Sequence, residues 1–508
     1  MSDIEIAMPA RSEPAKVSTA KKERSDKRAT PWRDNIEAML MAIVMALVLK
    51  YFIVEAYRIP TGSMQPTLMG NSKTGVFDRI LVDKFTPVLR DPARFETWVF
   101  RYPLDGSKNF VKRVVGIGPE EFRVHNGDLW RRDLGYTDAA DTLDKGWKVL
   151  RRPRRVQEET WLALIREDAG DPLFFSSEDH SVVASRSVDH KGDFRMRYGS
   201  SRASVMDRYN DGYPDGLKNQ IQGGGRGSGS HPVGDLRVSG EVTPGADCEW
   251  IKVQIQEGNM SYELSIPGPA APEGAKPTVS AEDTRPSYTD SPFSSSIKGD
   301  ALRLQAGNSY TFGAQNLDDL LELEIDGLVL CSLEIPTASN QSSGLHVENK
   351  GAASFDELMV YRDIFYTPGD VETWTIPEGH FFMMGDNTLD SSDSRMWKKY
   401  RLNRLAEDGE VKLVEGNARS NGHSGQSDFD SDMNPYISSM GTPDLRPITW
   451  FRDTYGELHP FEADEIENAA PLTVPAPFVP RDKMLGRAVS VFWPIKPFDD
   501  VWRFKWVH

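Results

Sequence analysis

Pro60-Thr61-Gly62-Ser63-Met64-Gln65-Pro66-Thr67-Leu68 is the stretch on which the reading of this chain turns. Two prolines and a glycine exclude a helix, so Ser63 sits on an extended or sharply turned backbone. Such a backbone can offer the serine hydroxyl and its own N–H to a bound peptide. Taken alone, the segment is equally a turn with an incidental serine, and its neighbours decide.

Upstream, residues 1–33 hold eight Lys/Arg against five Asp/Glu in a Ser-, Ala-, Lys- and Pro-rich stretch without apolar periodicity, the mark of a disordered tail. The run Ile36 through Val54 follows; Ala38 to Leu49 carries no polar side chain and Lys50 alone interrupts the rest. From Ala38 to Val54 is seventeen residues, about 26 Å of helix, enough for a thin hydrocarbon core. Lys50 would snorkel and Tyr51 anchor at the interface. Ile53-Val54-Glu55-Ala56-Tyr57 offers a poor exit for a cleaved leader. A buried globular helix is the other reading, and the basic flank favours an uncleaved transmembrane helix over 36–54 with the tail, residues 1–35, in the cytoplasm.

Downstream, Arg79-Ile80-Leu81-Val82-Asp83-Lys84-Phe85 and Asn109-Phe110-Val111-Lys112-Arg113-Val114-Val115-Gly116 read as strands. Alternation puts Phe110, Lys112 and Val114 on one face. A lysine desolvated between apolar neighbours favours its neutral amine and can take a proton from a hydroxyl; a solvated strand-edge lysine is the other reading. Phe381-Phe382-Met383-Met384-Gly385-Asp386-Asn387 then runs into Thr388-Leu389-Asp390-Ser391-Ser392-Asp393-Ser394-Arg395, a buried strand ending in a loop whose short polar side chains lock backbone and orient other groups. That loop lacks the glycine and glutamate spacing of a hand-type calcium loop.

In this order, behind one apolar helix, these blocks resemble bacterial type I signal peptidases, the Ser/Lys leader peptidases. The serine box is very close to the family pattern; Asp78 to Phe85, Lys112 to Gly116, and Gly385-Asp386-Asn387 through Arg395 look like the next three. Phe478-Val479-Pro480 with Leu485-Gly486-Arg487-Ala488 is similar to the closing strand. The resemblance implies Ser63 as nucleophile, Lys112 as general base, and an oxyanion hole from the Ser63 N–H and the Thr61 hydroxyl. It implies that Ser391 helps hold the Lys112 amine while Asp393 and Arg395 brace the loop. Ile59, Pro60, Met64, Leu68, Phe110 and Val111 would line shallow apolar pockets, giving cleavage after Ala-x-Ala. Two departures stand out: Gly116-Ile117-Gly118-Pro119-Glu120 replaces a Gly-Leu-Pro-Gly-Asp turn, and Thr388-Leu389 replaces Arg-Asp after Gly-Asp-Asn. Neither touches the nucleophile or the base.

At 508 residues the chain exceeds one ordinary core. With 39% apolar and 27% charged residues it is neither collagen-like, wholly disordered nor a polytopic membrane protein. A net charge of −16 argues against a nucleic-acid binder. Cys248 and Cys331 are the two cysteines, and whether they pair is open; the nine histidines fall in no HExxH-like spacing. No metal and no cofactor is expected.

The expected fold is mainly β: the helix, then a signal-peptidase-type catalytic core over 55–130, 366–397 and 474–508. An inserted jelly-roll-like β-sandwich over 131–365 interrupts it, and an acidic, loop-rich insertion covers 398–473. Short alternating runs such as Leu236-Arg237-Val238-Ser239-Gly240-Glu241-Val242, Trp250-Ile251-Lys252-Val253-Gln254-Ile255 and Leu321-Glu322-Leu323-Glu324-Ile325-Asp326-Gly327 carry the sandwich reading, which is similar in pattern to concanavalin- and laminin-G-like folds. Arg151-Arg152-Pro153-Arg154-Arg155 reads as the linker leading into it, Gly223-Gly224-Gly225 as a loop, and Asp428-Phe429-Asp430-Ser431-Asp432 as a solvated loop. The aromatic end, Phe492 through Trp506, reads either as a core strand or as an interfacial belt.

Two functions of different class compete. One is a membrane-bound serine endopeptidase, tethered in the plasma membrane with its catalytic part on the outer face, that removes signal peptides from exported preproteins. The partners this implies are preprotein signal peptides, the lipid bilayer and the secretion translocon. The other is a catalytically silent anchored receptor binding glycans or envelope proteins through the sandwich, whose ligand the sequence does not name. Retention of Ser63, Lys112, Ser391 and Asp393 favours the peptidase. A self-cleaving repressor with the same dyad would need a helix-turn-helix, for which the tail and helix leave no room.

Overall fold

Strands rich in β-branched and aromatic residues assemble one antiparallel sheet from segments far apart in sequence. They are β1 (Val54–Arg58), β2 (Arg79–Asp83), β3 (Thr97–Arg101), β4 (Asn109–Ile117), β5 (His380–Met384), β6 (Phe478–Pro480) and β7 (Met484–Trp493), ordered β1-β2-β7-β3-β4-β5-β6. The computed structural model describes residues 31–48, 50, 53–71, 74–136, 146–166, 175–176, 183–188, 194–200, 204–207, 229–285, 293–338, 342–405, 410–417, 436–438, 448–455, 457–462, 465, 472–493, 495–496 and 501–508. The closing strand β7 is central, between β2 and β3. Alternation is obeyed in β3 and β4: Trp98, Phe100 and Val114 enter one apolar cluster with Trp397, while Val99 enters the other with Ile59, Met64 and Leu68.

The helix differs from expectation. Helix α1 runs Pro31–Val48, starting before and ending short of the 36–54 span, and Val54 already opens β1. β1 is claimed by β2, with Val54 opposite Asp83 and Tyr57 opposite Ile80. Among the described residues no helix is long and apolar enough to cross a membrane. The polar first turns of α1, with Arg33, Asp34 and Glu37, dilute its apolar run.

Between β4 and β5 the chain builds two facing antiparallel sheets. One orders Leu162–Arg166, Ala353–Arg362, Leu236–Pro244, Tyr310–Leu317, Leu320–Ile325 and Leu328–Glu334; the other centres on Ser343–Lys350, Trp250–Glu257 and Met260–Pro267. Alternating residues of both, among them Val238, Val253, Leu264, Leu323 and Val347, fill a shared core. Cys248 and Cys331 are buried there as free thiols.

Four expectations need correction or fall outside the described residues. The basic run Arg151 to Arg155 is more than an entry linker: Arg152 is buried against Asp363 and Asp318, Arg154 pairs with Glu324, and Arg154–Thr160 forms a short helix. Its charges meet the acidic edge of the sandwich and dock it. Residues 398–473 are not merely loop, since Lys398–Leu405 pairs with Val411–Asn417 and with Leu472–Pro475, and Leu402 is buried with Phe461. The glycine run at 223–225 and the Asp428 to Asp432 stretch lie outside the described residues. At the aromatic end the core-strand reading is met at Lys505–Trp506, which pairs with β7, and at Val507, which is buried; Phe504 and Trp506 are exposed.

Candidate active site

The serine box folds as a tight turn between β1 and β2. Gln65 N donates to Gly62 O at 3.1 Å and Leu68 N to Met64 O at 2.7 Å. Asp78 closes the loop, its carboxylate accepting from Met69 N at 2.8 Å and its own amide donating to Met69 O at 2.8 Å. The two prolines and the buried glycine thus hold Ser63 on a sharply turned backbone, as its composition requires. Lys112 approaches from β4, where it stands opposite Trp98. Its Nζ donates to Ser63 Oγ at 2.6 Å, and the two residues are 1% and 3% exposed. Thr61 Oγ1 lies 3.4 Å from Ser63 Oγ, and Lys112 Nζ lies 5.9 Å from the Phe110 ring centroid. An amine and a hydroxyl at this distance, shielded from water, can exchange a proton.

The loop after β5 presses on this pair. Asn387 N donates to Ser63 O at 3.1 Å and Asn387 Nδ2 to Gly62 O at 3.1 Å. Gly385 has to be glycine, because a Cβ there would collide with Ser63 O and Ser391 Oγ. Asp393 receives a bidentate Arg395 guanidinium at 2.8 and 2.7 Å and the Gly385 amide at 3.0 Å. Arg395 reaches on to Thr367 O at 2.8 Å and Thr388 O at 3.3 Å, so it braces the loop from both sides.

Burial alone would raise the Asp393 carboxyl. Arg395, with the nearby Lys112 charge and the Gly385 amide, outweighs this and holds it below the usual carboxylate range. A depressed folded value means stabilisation that is complete above the unfolded value of 3.8 and is lost as pH falls through the folded one. The melting-temperature gap between the wild type and Asp393→Asn should therefore stay constant from neutrality to about pH 4 and narrow below it. A gap that closes between pH 7 and 5 would contradict this.

Not every expected contact is made. Ser391 is buried, but its hydroxyl has no hydrogen-bond partner among the described residues, so it does not hold the Lys112 amine; it stands over Gly385 beside Ser63 O instead. Of the residues expected to line pockets, Met64 and Leu68 are wholly buried and Ile59 nearly so, filling the core beneath the serine. Pro60 is exposed, and Phe110 and Val111 are half-buried on opposite faces of β4.

One unit was not foreseen. Arg113, next to the lysine, forms a fully buried bidentate pair with Asp386 at 2.8 and 2.8 Å. Thr67 donates to Asp386 Oδ2 at 2.6 Å, and Arg113 Nη1 donates to Phe95 O at 2.6 Å. Both charged residues stand inside quoted blocks, but 273 positions separate them and no spacing rule links them.

Comparison with known proteins follows the same segments. Residues 32–160 and 340–414 match the family described as signal peptidase, peptidase S26. A probable signal peptidase I-2 of Synechocystis is 33% identical over 156 residues, 29% of this chain and 65% of that protein. Signal peptidase I of Pseudomonas fluorescens is 42% identical over 87 residues, 15% of this chain and 28% of that protein. The Pseudomonas aeruginosa enzyme of that name is 42% identical over 93 residues, 16% and 31%. The chain thus spans less than two thirds of the length of each. Among solved structures, a Caenorhabditis elegans galectin aligns with 26% of this chain and 87% of its own, at 12% identity and a TM-score of 0.20.

Proposed function

We propose that this chain, whose residues 32–160 and 340–414 belong to the signal peptidase family, peptidase S26, is a serine endopeptidase that removes signal peptides from preproteins with a Ser63/Lys112 dyad. The observation that carries the reading is the buried 2.6 Å contact between Lys112 Nζ and Ser63 Oγ. In its neutral form the Lys112 amine takes the Ser63 proton as Oγ attacks the scissile carbonyl. The Ser63 N–H and the Thr61 hydroxyl steady the oxyanion. Collapse breaks the peptide bond, and Lys112 returns the proton to the leaving amine. Water, deprotonated by the same lysine, then releases the acyl group from Ser63. Asp393 and Arg395 hold the loop that presses on the dyad.

Exposed apolar side chains on α1, including Met39, Met41, Val44, Met45 and Leu47, support a lipid-facing segment. Tethering there would put the dyad near the ends of its substrates' hydrophobic segments, with the catalytic part on the outer face.

The test is cleavage of a purified preprotein by the full chain in detergent micelles, with the new N-terminus sequenced. The cut should fall after Ala-x-Ala. Leucine in place of the alanine next to the cut should slow it by about a hundredfold, since a shallow pocket cannot take the longer side chain. Equal cleavage of both would refute the small-residue preference, and no cleavage of either would refute the peptidase.

A further inference from the structure

Six carboxylates gather where the hairpin Glu120–His125/Asp128–Arg132 meets the sandwich: Asp128 from the hairpin, and Asp235, Glu257, Asp318, Asp319 and Asp363 from the sandwich side. All but Asp235 are buried. Asp128, Asp235 and Asp318 each offer an oxygen within 4.8 Å of the other two. Arg152 is engaged with Asp363 and Asp318, and Arg151 with the carbonyls of Asp318 and Asp319.

Oxygens here outnumber donors. Asp318 Oδ2 is buried with no hydrogen-bond partner among the described residues. So is Asn316 Oδ1, a neutral acceptor whose amide nitrogen donates to Glu257 at 3.0 Å and to Gly234 O at 3.3 Å beside Asp235. Buried acceptors without donors are rare and point to a missing cation. We propose that Asp128, Asp235 and Asp318 form a calcium site that fastens the sandwich to the hairpin beside the catalytic core.

The ligand chemistry selects the ion. Carboxylates, with neither histidine nor cysteine among them, suit a hard cation rather than zinc. Calcium takes about six to eight oxygens from a flexible protein cage, whereas magnesium keeps most of its water, so carboxylates gathered within 4.8 Å of one another in a buried setting suit calcium. Bidentate carboxylates and water would complete the shell. The hairpin also pairs with Thr373–Ile376, just ahead of β5, so the tie would reach the strand that carries the active-site loop.

The test uses the full chain stripped with chelator. Calorimetric titration with calcium chloride should give one ion per chain. Calcium a hundredfold above Kd should raise Tm by roughly 5 °C, with a smaller response to magnesium. Asp128→Asn and Asp235→Asn should each weaken calcium binding at least about tenfold. Because Asp235 is half-buried, its variant keeps a folded protein to measure even if the hairpin variant does not. Asp453→Asn, in the outlying group Asp453, Glu457 and His459, should leave the affinity unchanged. No calcium heat, equal stabilisation by magnesium, or wild-type affinity in Asp235→Asn would each overturn the proposal.

Discussion

Ser63→Ala should lower preprotein cleavage by roughly ten-thousandfold or more while leaving the melting temperature within about 2 °C of wild type, as expected for removal of a nucleophile from a site that is otherwise intact. The methyl group fits where the hydroxyl stood, because Ser63 is held by its backbone, through Asn387 N to Ser63 O, and not by its side chain alone. Lys112→Met, of similar length and without the amine, should fall as far, since base and nucleophile act as a unit and their losses do not add. The double variant should therefore be no slower than either single one. Two single variants that cut as well as wild type would exclude the dyad.

The contact between Ser63 and Lys112 was legible for a physical reason. Its two members sit in short local patterns, a proline-bracketed turn and a strand with strict alternation, and each pattern states its own geometry. Lys112 faces the Phe110 side of β4 because side chains alternate, and its burial follows. The sandwich was legible where apolar residues alternate, as in Leu236–Pro244 and Trp250–Glu257. It was missed at Ser343–Lys350, a central strand whose inward positions include Ser343 and Asn349, so only Leu345 and Val347 mark the face.

Charges misled more than apolar residues did. The run Arg151 to Arg155 looks like a mere entry linker because its partners, Asp318, Glu324 and Asp363, lie at least 166 positions away. Charge pairing across an insertion has no local signature. The same holds for α1, where the apolar run was plain but its end was not: Val54, the last residue of that run, answers to a partner strand that only the fold reveals.

That argument bears most heavily on Arg113 and Asp386. The pair joins β4 to the loop after β5 across the whole sandwich, and Thr67 brings in the serine box. Three separate segments of the catalytic core thus meet at one fully desolvated ion pair. Asp386 holds the Arg113 guanidinium above its ordinary value against the opposing effect of burial. Asp386→Ala would leave the buried guanidinium with Glu159, 4.0 Å away, as its remaining carboxylate among the described residues, and should destabilise the protein by about 3 kcal/mol. Arg113→Met strands the carboxylate in its place and should cost a similar amount. Replacing both, by methionine and leucine, removes the uncompensated charge, and stability should recover by about 1–4 kcal/mol over the worse single variant. A double-mutant cycle by urea unfolding reads this directly, and cleavage should fall in each single variant because the loop carrying Asn387 loses its tie to β4. Additive losses in the cycle would mean that the halves of the core are held together elsewhere, and that the insertion is bridged by the sheet alone.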